Sequence, residues 1–288
     1  MPEFQELCRS SADTNMPRYD EIGYWSEVKL DIISKYASVY STIMNKQNSI
    51  QSYLYIDAFA GAGVHIKKQT REFIKGSPLN ALAISPAFPE LHFIDLDGDK
   101  VDKLRQTIDD RRDVLFHKGD CNEVLLVEVF PRCRYEDYRR ALCLLDPYGL
   151  NVNWEVLEKA GGMRSVEIFY NFMIIDANMN VFWRSPDKVQ PSQIARMDAV
   201  WGDHSWREVA YKKTLGLFSE MEEKTTNKAV IDAFRDRLKK VAGFEYVPEP
   251  MPMRNSKGSV IYYLFFASPN RTGAKIVKDI FDNYRNKG

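Results

Sequence analysis

The stretch Tyr55-Ile-Asp-Ala-Phe-Ala-Gly-Ala-Gly-Val64 predicts how this chain folds. The apolar, β-rich run at residues 52–57 stops at a glycine-rich turn, as a buried parallel strand does where it meets a ligand-binding loop. Gly61 and Gly63 leave no Cβ atom between the backbone and a ligand, and glycine tolerates positive φ. We therefore expect a central strand followed by a turn that holds a ligand.

Further apolar runs alternate with amphipathic helical segments downstream of this turn. The predicted strands are Leu91-His-Phe-Ile-Asp95, Val114-Leu-Phe-His117, Ala141-Leu-Cys-Leu-Leu145 and residues 166–172. This alternation predicts an α/β, Rossmann-like fold with a mostly parallel sheet and helices on both faces. Ligands of such sheets bind beyond the carboxyl ends of the strands, so the polar residues there are candidate binding residues. Plain surface turns use the same residue types.

The segments around this core are predicted from their periodicity and composition. Residues 1–20 are expected to form a polar arm, residues 25–45 an amphipathic helix and residues 65–75 a polar loop. We expect residues 244–247 and 260–267 to pair as an antiparallel hairpin at the sheet edge, before a final helix. This pattern divides the chain into an N-terminal arm and helix at 1–48 and a Rossmann-like domain at 49–288, with a helical insertion at about 178–242.

Composition excludes several classes of protein. The 40 basic residues balance 40 acidic ones, so the chain lacks the broad positive field of a protein that grips duplex nucleic acid mainly through phosphates. A local basic groove that binds nucleic acid stays compatible with this charge balance. No apolar run approaches the roughly 20 residues that cross a bilayer, and the N-terminus lacks a signal-peptide core, which predicts a cytoplasmic protein without a membrane span. The four cysteines and four histidines show no metal-ligand spacing.

The glycine-rich turn departs from two common nucleotide motifs. Ile66 stands where the dinucleotide fingerprint has its third glycine, and the phosphate-binding loop motif is absent. The remaining pattern, acidic-x-Phe-Ala-Gly-x-Gly, resembles the first motif of S-adenosylmethionine-dependent methyltransferases, especially those that act on nucleic-acid bases. The resemblance implies that Asp57, Gly61 and Gly63 hold the amino-acid end of S-adenosylmethionine, with Phe59 lining the pocket.

Acidic residues end the next two strands. Asp95 can accept hydrogen bonds from both ribose hydroxyls, as carboxylates do in dinucleotide folds. Asp97 is the rival, but Asp97-Gly-Asp99 is better explained as the turn and cap of the next helix. Asp120 matches the position where methyltransferases bind the adenine amino group. A simple helix N-cap, with Glu123 three residues later, explains Asp120 as well, so both interpretations stay open.

Asp146-Pro147-Tyr148-Gly149 follows the fourth strand and is the cluster nearest to chemistry. The Asp146 carboxylate and the Pro147 carbonyl can each accept an amine hydrogen and so aim the nitrogen lone pair, and Tyr148 can stack on a base. The tetrapeptide resembles the D-P-P-[YF] motif of adenine amino-methyltransferases and the D-P-F-G of tRNA guanine dimethyltransferases. The second proline of the former motif is missing here. The same four residues also form a good β-turn.

The order of motifs along the chain resembles the three-Cys-motif partner protein family. The resemblance covers about residues 24–285 and is carried by Trp25 with Lys29, Tyr55 to Gly63, Gly76-Ser-Pro78, Phe93-Ile-Asp95, Leu145 to Gly149 with Trp154, and Tyr263 to Ala267 followed by Gly273. It implies a class I methyltransferase-like fold and a separately encoded partner bearing three cysteines.

Two functional hypotheses follow from these patterns. The first is an S-adenosylmethionine-dependent enzyme that methylates an exocyclic amine of a DNA or RNA base. The alternative is a non-catalytic adaptor with the same fold, which the incomplete D-P-P-[YF] motif, the zero net charge and the exposed-looking Trp183, Trp201 and Trp206 favour. Tryptophans are more often core residues than interface residues, so both roles stay open for these three. A third and weaker option is a nuclease or other repair enzyme, but the sequence shows no local metal-ligand motif, and neither of the first two hypotheses includes a metal site.

Overall fold

A seven-stranded mixed sheet forms the centre of the protein in the computed structural model, which describes residues 21–68, 70–109, 111–215 and 220–285. Its strands are β2 (Ser52–Asp57), β5 (Glu90–Asp95), β6 (Val114–Lys118), β7 (Arg139–Leu145), β8 (Val166–Phe172), β11 (Met251–Arg254) and β12 (Val260–Ala267). They lie in the order β6-β5-β2-β7-β8-β12-β11. The first five pair in parallel, and β12 runs antiparallel to both of its neighbours.

The five parallel strands confirm the predicted α/β fold. Counted along the chain, the seven strands lie in the order 3-2-1-4-5-7-6, which is the Rossmann-like arrangement of class I methyltransferases. Each parallel strand is apolar along most of its length because helices cover both faces of the sheet. The parallel strands were predicted from their continuous apolar runs, and the structure shows that these runs are buried.

The helices have the following bounds: α1 (Tyr24–Lys46), α2 (Ser77–Leu82), α3 (Gly98–Ile108), α4 (Cys121–Val124), α5 (Trp154–Met163), α6 (Ile174–Asn180), α7 (Pro191–Trp201), α8 (Trp206–Ala210), α9 (Asn227–Lys240) and α10 (Arg271–Arg285). A π turn at Leu125–Val129 and short 3-10 turns at Phe130–Arg132 and Pro186–Lys188 complete them. None of the helices in the described ranges has the length and apolar character needed to span a bilayer.

Two hydrophobic cores lie on the two faces of the sheet. Side chains alternate along β2, so that Leu54 and Ile56 pack in one core while Tyr53 and Tyr55 pack in the other. The first core also receives α5 and α9, and the second receives α1, α3 and α10. The N-terminal helix α1 therefore packs on the sheet, while the predicted arm at residues 1–20 lies outside the described residues.

Two predictions of local structure were wrong. Residues 244–247 form no strand apart from an isolated bridge between Tyr246 and Ser268, and the true partner of β12 is β11, which begins after Pro250. Phe244 and Val247 are apolar because they pack in the core, not because they join the sheet. The predicted polar loop at residues 65–75 contains β3 (Val64–Lys67) and β4 (Phe73–Lys75), which pair with each other, and β3 also pairs with β1 (Glu21–Ile22).

The segment between β8 and β11 contains more than helices. Strands β9 (Tyr211–Leu215) and β10 (Glu220–Lys224) form an antiparallel pair between α8 and α9. Two of its three tryptophans are core residues, which was one of their two predicted roles: Trp201 and Trp206 are only 2% and 1% exposed and pack in the core. Trp183 is 38% exposed. This segment is therefore anchored by large buried rings.

Adjacent glycines in α5 provide a matched test of how this segment packs on the sheet domain. A Cβ atom on Gly161 would lie 2.0 Å from the carbonyl oxygen of Ala242, whereas a Cβ atom on Gly162 would meet nothing within 4 Å. We expect Gly161→Ala to lower the free energy of unfolding by about 1–3 kcal/mol through overpacking. We expect Gly162→Ala to raise it by about 0.5–1 kcal/mol through helix propensity. Urea unfolding of both variants measures this difference, and equal effects would contradict the described contact.

Candidate active site

A cleft lies beyond the carboxyl ends of the parallel strands. It consists of two adjoining cavities of about 210 Å³ and about 600 Å³, which share Phe59, Asp95, Lys100 and Tyr148 as lining residues. The smaller cavity is also lined by Lys29 and Asp146, and the larger one by Asp120. Residues far apart in sequence therefore meet because parallel strands end at the same edge of a sheet.

Asp57 lies beneath the floor of this cleft, at the end of β2, and is fully buried. Burial raises the pKa of its carboxyl to about 7, although hydrogen bonding from the Ser77 side chain and the Phe59 backbone opposes the rise. The Phe59 N–H donates to Oδ1 at 3.2 Å, and Oδ2 has no hydrogen-bond partner in the described part of the chain. A buried carboxylate oxygen without a partner is unusual and suits a site that receives a positively charged ligand.

The two glycines of the turn have different requirements. Both have positive φ, 61° at Gly61 and 79° at Gly63. A Cβ atom on Gly63 would lie 2.5 Å from Cδ1 of Leu104, so packing against α3 requires glycine there. A Cβ atom on Gly61 would meet nothing within 4 Å, and Gly61 lines the smaller cavity. Gly61 is therefore the position where the backbone faces the cleft.

The structure gives Asp95 and Asp97 different tasks. Asp97 is the N-cap of α3 and accepts from the backbone N–H groups of Asp99 and Lys100 at 3.0 and 3.3 Å. Asp95 accepts from the Gly61 N–H at 2.8 Å and from the Asp97 N–H at 2.9 Å. Asp95 thereby fastens the glycine turn to the end of β5 and lines both cavities. Its predicted contact with a ribose stays a prediction.

Asp120 is an N-cap, which was one of its two predicted roles. It precedes α4 and accepts from the backbone N–H of Asn122 at 2.7 Å and from the Asn122 side chain at 2.8 Å. Asn122 also bonds the backbone of Asn151 and Asn153, which ties this turn to the loop after β7. Asp120 lines the larger cavity as well, so its contact with an adenine amino group stays a prediction.

Asp146 is held by two neighbours that sequence analysis did not place in the site. Its Oδ2 forms an ion pair with Lys29 of α1, and its Oδ1 accepts from the side-chain amide of Asn171 on β8. Burial alone would lower the pKa of Lys29, but Asp146 together with Tyr262 and Asp57 outweighs this effect, so that the pKa is raised. The Lys29 ammonium also lies 5.5 Å from the centre of the Tyr262 ring. The ammonium is therefore charged and fixes the carboxylate orientation.

The residues after Asp146 differ sharply in exposure. Pro147 is buried, whereas the Tyr148 side chain is 71% exposed at the junction of the two cavities, with the Lys100 ammonium 6.0 Å from its ring centre. Gly149 is closely packed, since a Cβ atom there would lie 2.7 Å from Oδ2 of Asp176. The predicted turn thus also exposes an aromatic ring at the mouth of the cleft.

The sequence contains signals that could have identified Lys29 and Asn171 as residues of the site. Lys29 interrupts the apolar face of α1 and is buried with Val28 and Ile32, so a lysine at that position indicates a buried partner. Asn171 is a polar residue near the carboxyl end of β8, which is buried along its whole length, and its Oδ1 has no hydrogen-bond partner among the described residues. No group of three or more His, Cys, Asp or Glu side chains in the described ranges could hold a metal ion.

Solved structures match this chain in fold at low sequence identity. A Legionella pneumophila protein of the family designated DUF519 has a TM-score of 0.54 and 9% identity, covering 91% of this chain and 91% of its own. An S-adenosylmethionine-dependent methyltransferase from Clostridium acetobutylicum has a TM-score of 0.39 and 10% identity, covering 93% of this chain and 96% of its own. Magnesium protoporphyrin IX methyltransferase from Synechocystis, solved with bound S-adenosylmethionine, has a TM-score of 0.31 and 12% identity, covering 92% and 91%.

These similarities concern the fold alone. The identities are low, and the fold comparison rests on the Legionella structure because the other two TM-scores lie below 0.5. No family model matches the chain, and no curated protein matches it by sequence. The function must therefore be argued from the residues of the cleft.

The raised pKa of Asp57 predicts a pH-dependent stability. The folded state holds the proton up to about pH 7, while the unfolded state releases it near its ordinary value of 3.8, so stability falls as the pH rises between these values. The Asp57→Asn variant has no titrating carboxyl at this position, so this pH-dependent contribution to stability is absent. The stability of the variant relative to the native protein should therefore rise by roughly 1.4 kcal/mol per pH unit across that window and level off above it.

Urea unfolding at several pH values between 4 and 8 measures this difference. Asp279→Asn, an exposed position on α10, is the matched control for removal of a carboxylate. A constant difference between Asp57→Asn and the native protein across the whole range would contradict a neutral, buried Asp57.

Proposed function

We propose that this protein is an S-adenosylmethionine-dependent methyltransferase that acts on an exocyclic amine of a nucleic-acid base. The observation that carries the proposal is the meeting, at one cleft, of a glycine turn over buried Asp57, of Asp95 and of Asp146-Pro147-Tyr148. The same edge of the sheet thus offers residues for a cofactor and residues for an amine. Fold similarity alone would not support this, because one fold hosts many functions.

The cleft residues fit the charge and shape of S-adenosylmethionine. The cofactor carries a positive amino group and a sulfonium, and this charge would favour ionisation of buried Asp57, whose Oδ2 has no hydrogen-bond partner among the described residues. In this proposal Asp95 would accept hydrogen bonds from the ribose hydroxyls and Asp120 from the adenine amino group, and Phe59 would contribute apolar lining to the same cavity. When bound, the cofactor supplies an electrophilic methyl group.

The residues around Asp146 would orient the acceptor amine. A methyl transfer needs an unprotonated nitrogen whose lone pair points in line with the methyl group, so the protein has to hold the amine hydrogens. The buried Oδ1 of Asn171, the Pro147 carbonyl and the remaining lone pairs of Asp146 are the acceptors at this point. The Lys29 ammonium holds the Asp146 carboxylate in one orientation, so that its remaining lone pairs could accept a hydrogen bond from the amine.

Tyr148 would provide the contact with the base. Its ring is largely exposed at the mouth of the cleft, where a base drawn from a single strand or flipped from a helix can stack on it. Lys100 contributes a cation near that ring, and the β3–β4 hairpin, whose His65 lines the smaller cavity, carries Lys67, Lys68 and Arg71. Some of this charge is neutralised, because Lys67 and Arg71 pair with Glu27 and Glu21.

A non-catalytic adaptor is the second candidate. One observation favours it: each oxygen of the Asp146 carboxylate already has a partner, Lys29 or Asn171, whereas a free acceptor is what an amine requires. In this case the protein would act in the cytoplasm as the partner of a separately encoded three-cysteine protein, as the motif resemblance implies. The two candidates share the cofactor-binding prediction and differ in the chemistry at Asp146.

Cofactor binding is tested first, by calorimetry with S-adenosylmethionine. We expect Asp95→Ala to weaken binding at least tenfold, because a carboxylate that accepts ribose hydroxyls forms charge-assisted hydrogen bonds of about 1.5–3 kcal/mol. Asp97→Ala is the matched control two residues away. It should lower helix stability by about 1 kcal/mol through loss of the N-cap and leave binding nearly unchanged. Absence of binding to the native protein would refute both candidates.

Catalysis is tested by tritiated methyl transfer to mixed DNA, RNA and protein, with and without a three-cysteine partner. We expect incorporation into nucleic acid to fall about a hundredfold in Asp146→Ala, because a misaligned amine loses the near-attack geometry. Tyr148→Ala should raise KM about tenfold or more through lost stacking, whereas Tyr148→Phe retains it. Cofactor binding without transfer to any acceptor in either condition would favour the adaptor.

A further inference from the structure

A third cavity lies at the opposite end of the parallel strands, near their amino ends and far from the cleft. It encloses about 330 Å³ and is lined by residues at the beginnings of β7 and β8, by the C-terminal half of α1 and by the beginning of α10. Strands of seven residues separate it from the cleft by about 20 Å, at roughly 3.3 Å per residue. Its volume is in the range of pockets that hold small ligands.

Three arginines line this cavity: Arg140, Arg164 and Arg271. No carboxylate within ion-pairing distance of them is found among the described residues, whereas neighbouring Arg132 and Arg139 both pair with Glu90. Arg140 is held by hydrogen bonds from Nη1 to the carbonyl oxygens of Arg139 and Tyr135, at 2.7 and 3.3 Å, and lies 4.0 Å from the centre of the Tyr135 ring. The three arginines therefore bring positive charge to the cavity without an ion-pair partner in the described part of the chain.

A buried donor also lines the cavity. Tyr40 is 2% exposed, and its hydroxyl has no hydrogen-bond partner in the described part of the chain. Its ring is fixed by stacking on Phe88 at 6.1 Å between ring centres, so the hydroxyl cannot easily turn towards solvent. Because buried hydroxyls are nearly always satisfied, this one indicates a missing acceptor.

The remaining polar groups of the cavity are compatible with an anion. Helix α10 begins at Arg271 and runs for 15 residues, so its N-terminal dipole favours negative charge at this edge. Glu167 is the one acidic side chain of the lining, and it accepts hydrogen bonds from Tyr36 and Ser268. Burial raises the pKa of Glu167 to about 7, so it carries less negative charge than an ordinary carboxylate.

We propose that this cavity is a second binding site, for a phosphate ester of nucleotide size. The planar guanidinium groups of Arg140, Arg164 and Arg271 match phosphate oxygens, and the Tyr40 hydroxyl donates to one of them. The rings of Tyr135 and Tyr246 flank the arginines and offer faces for a base. The site uses no residue of the cleft, so the proposal does not depend on the proposed methyl transfer.

Calorimetry on the full chain with inorganic phosphate, adenosine monophosphate and adenosine tests the site. We expect adenosine monophosphate to bind more tightly than phosphate, and adenosine to bind at least tenfold more weakly because it lacks the anion. Arg140→Gln and Arg271→Gln should each weaken nucleotide binding about tenfold or more, and Tyr40→Phe about fivefold. Arg112→Gln, at an exposed position outside the cavity, is the matched control and should change nothing.

The cleft is a rival location for an adenine nucleotide, so Asp95→Ala is measured as well. Nucleotide binding that survives in Asp95→Ala and is lost in the arginine and Tyr40 variants supports the second site. Absence of binding, equal binding of adenosine, or binding lost only in Asp95→Ala would overturn it. Arg271 is exposed at the start of a helix, so Arg271→Gln keeps the test valid if Arg140→Gln fails to fold.

Discussion

Parallel pairing of β2, β5, β6, β7 and β8 is the constraint on which the rest of the structure depends. Because these strands run in one direction, all of their carboxyl ends lie at one edge, and the residues that follow them meet there. The sheet is buried on both faces, so the polar groups needed for chemistry have to stand at its ends. The cleft accordingly lies at the carboxyl ends of the strands, and the cavity with three arginines lies at their amino ends.

Burial of charge organises the cleft. Asp57, Lys29 and Asp146 all lie in or under it, and a charge removed from water needs a partner or a shifted pKa. Lys29 and Asp146 satisfy this requirement with each other, whereas Asp57 satisfies it through a raised pKa. A positively charged ligand would favour ionised Asp57, so ligand binding and proton release at this residue are linked.

Helix α1 extends from the cleft at the carboxyl ends of the strands to the cavity at their amino ends. Lys29 near its beginning contacts the cleft, while Tyr40 and Met44 near its end line the opposite cavity. Lys29 and Tyr40 are 11 positions apart, which corresponds to about 16 Å of helix, and the face between them packs in the second hydrophobic core. The helix therefore fixes the Asp146 carboxylate after the end of β7, although it precedes every strand of the central sheet in sequence.

The sequence by itself determined the five parallel strands, the glycine turn and the acidic residues at the strand ends, because buried strands and turns have local signatures in residue type and spacing. Only the tertiary structure decided that Lys29 and Asn171 hold Asp146, and that Trp201 and Trp206 are buried. It also decided that β11, and not residues 244–247, pairs with β12. These facts depend on contacts between residues distant along the chain, and local periodicity carries no information about which distant side chain will be the partner.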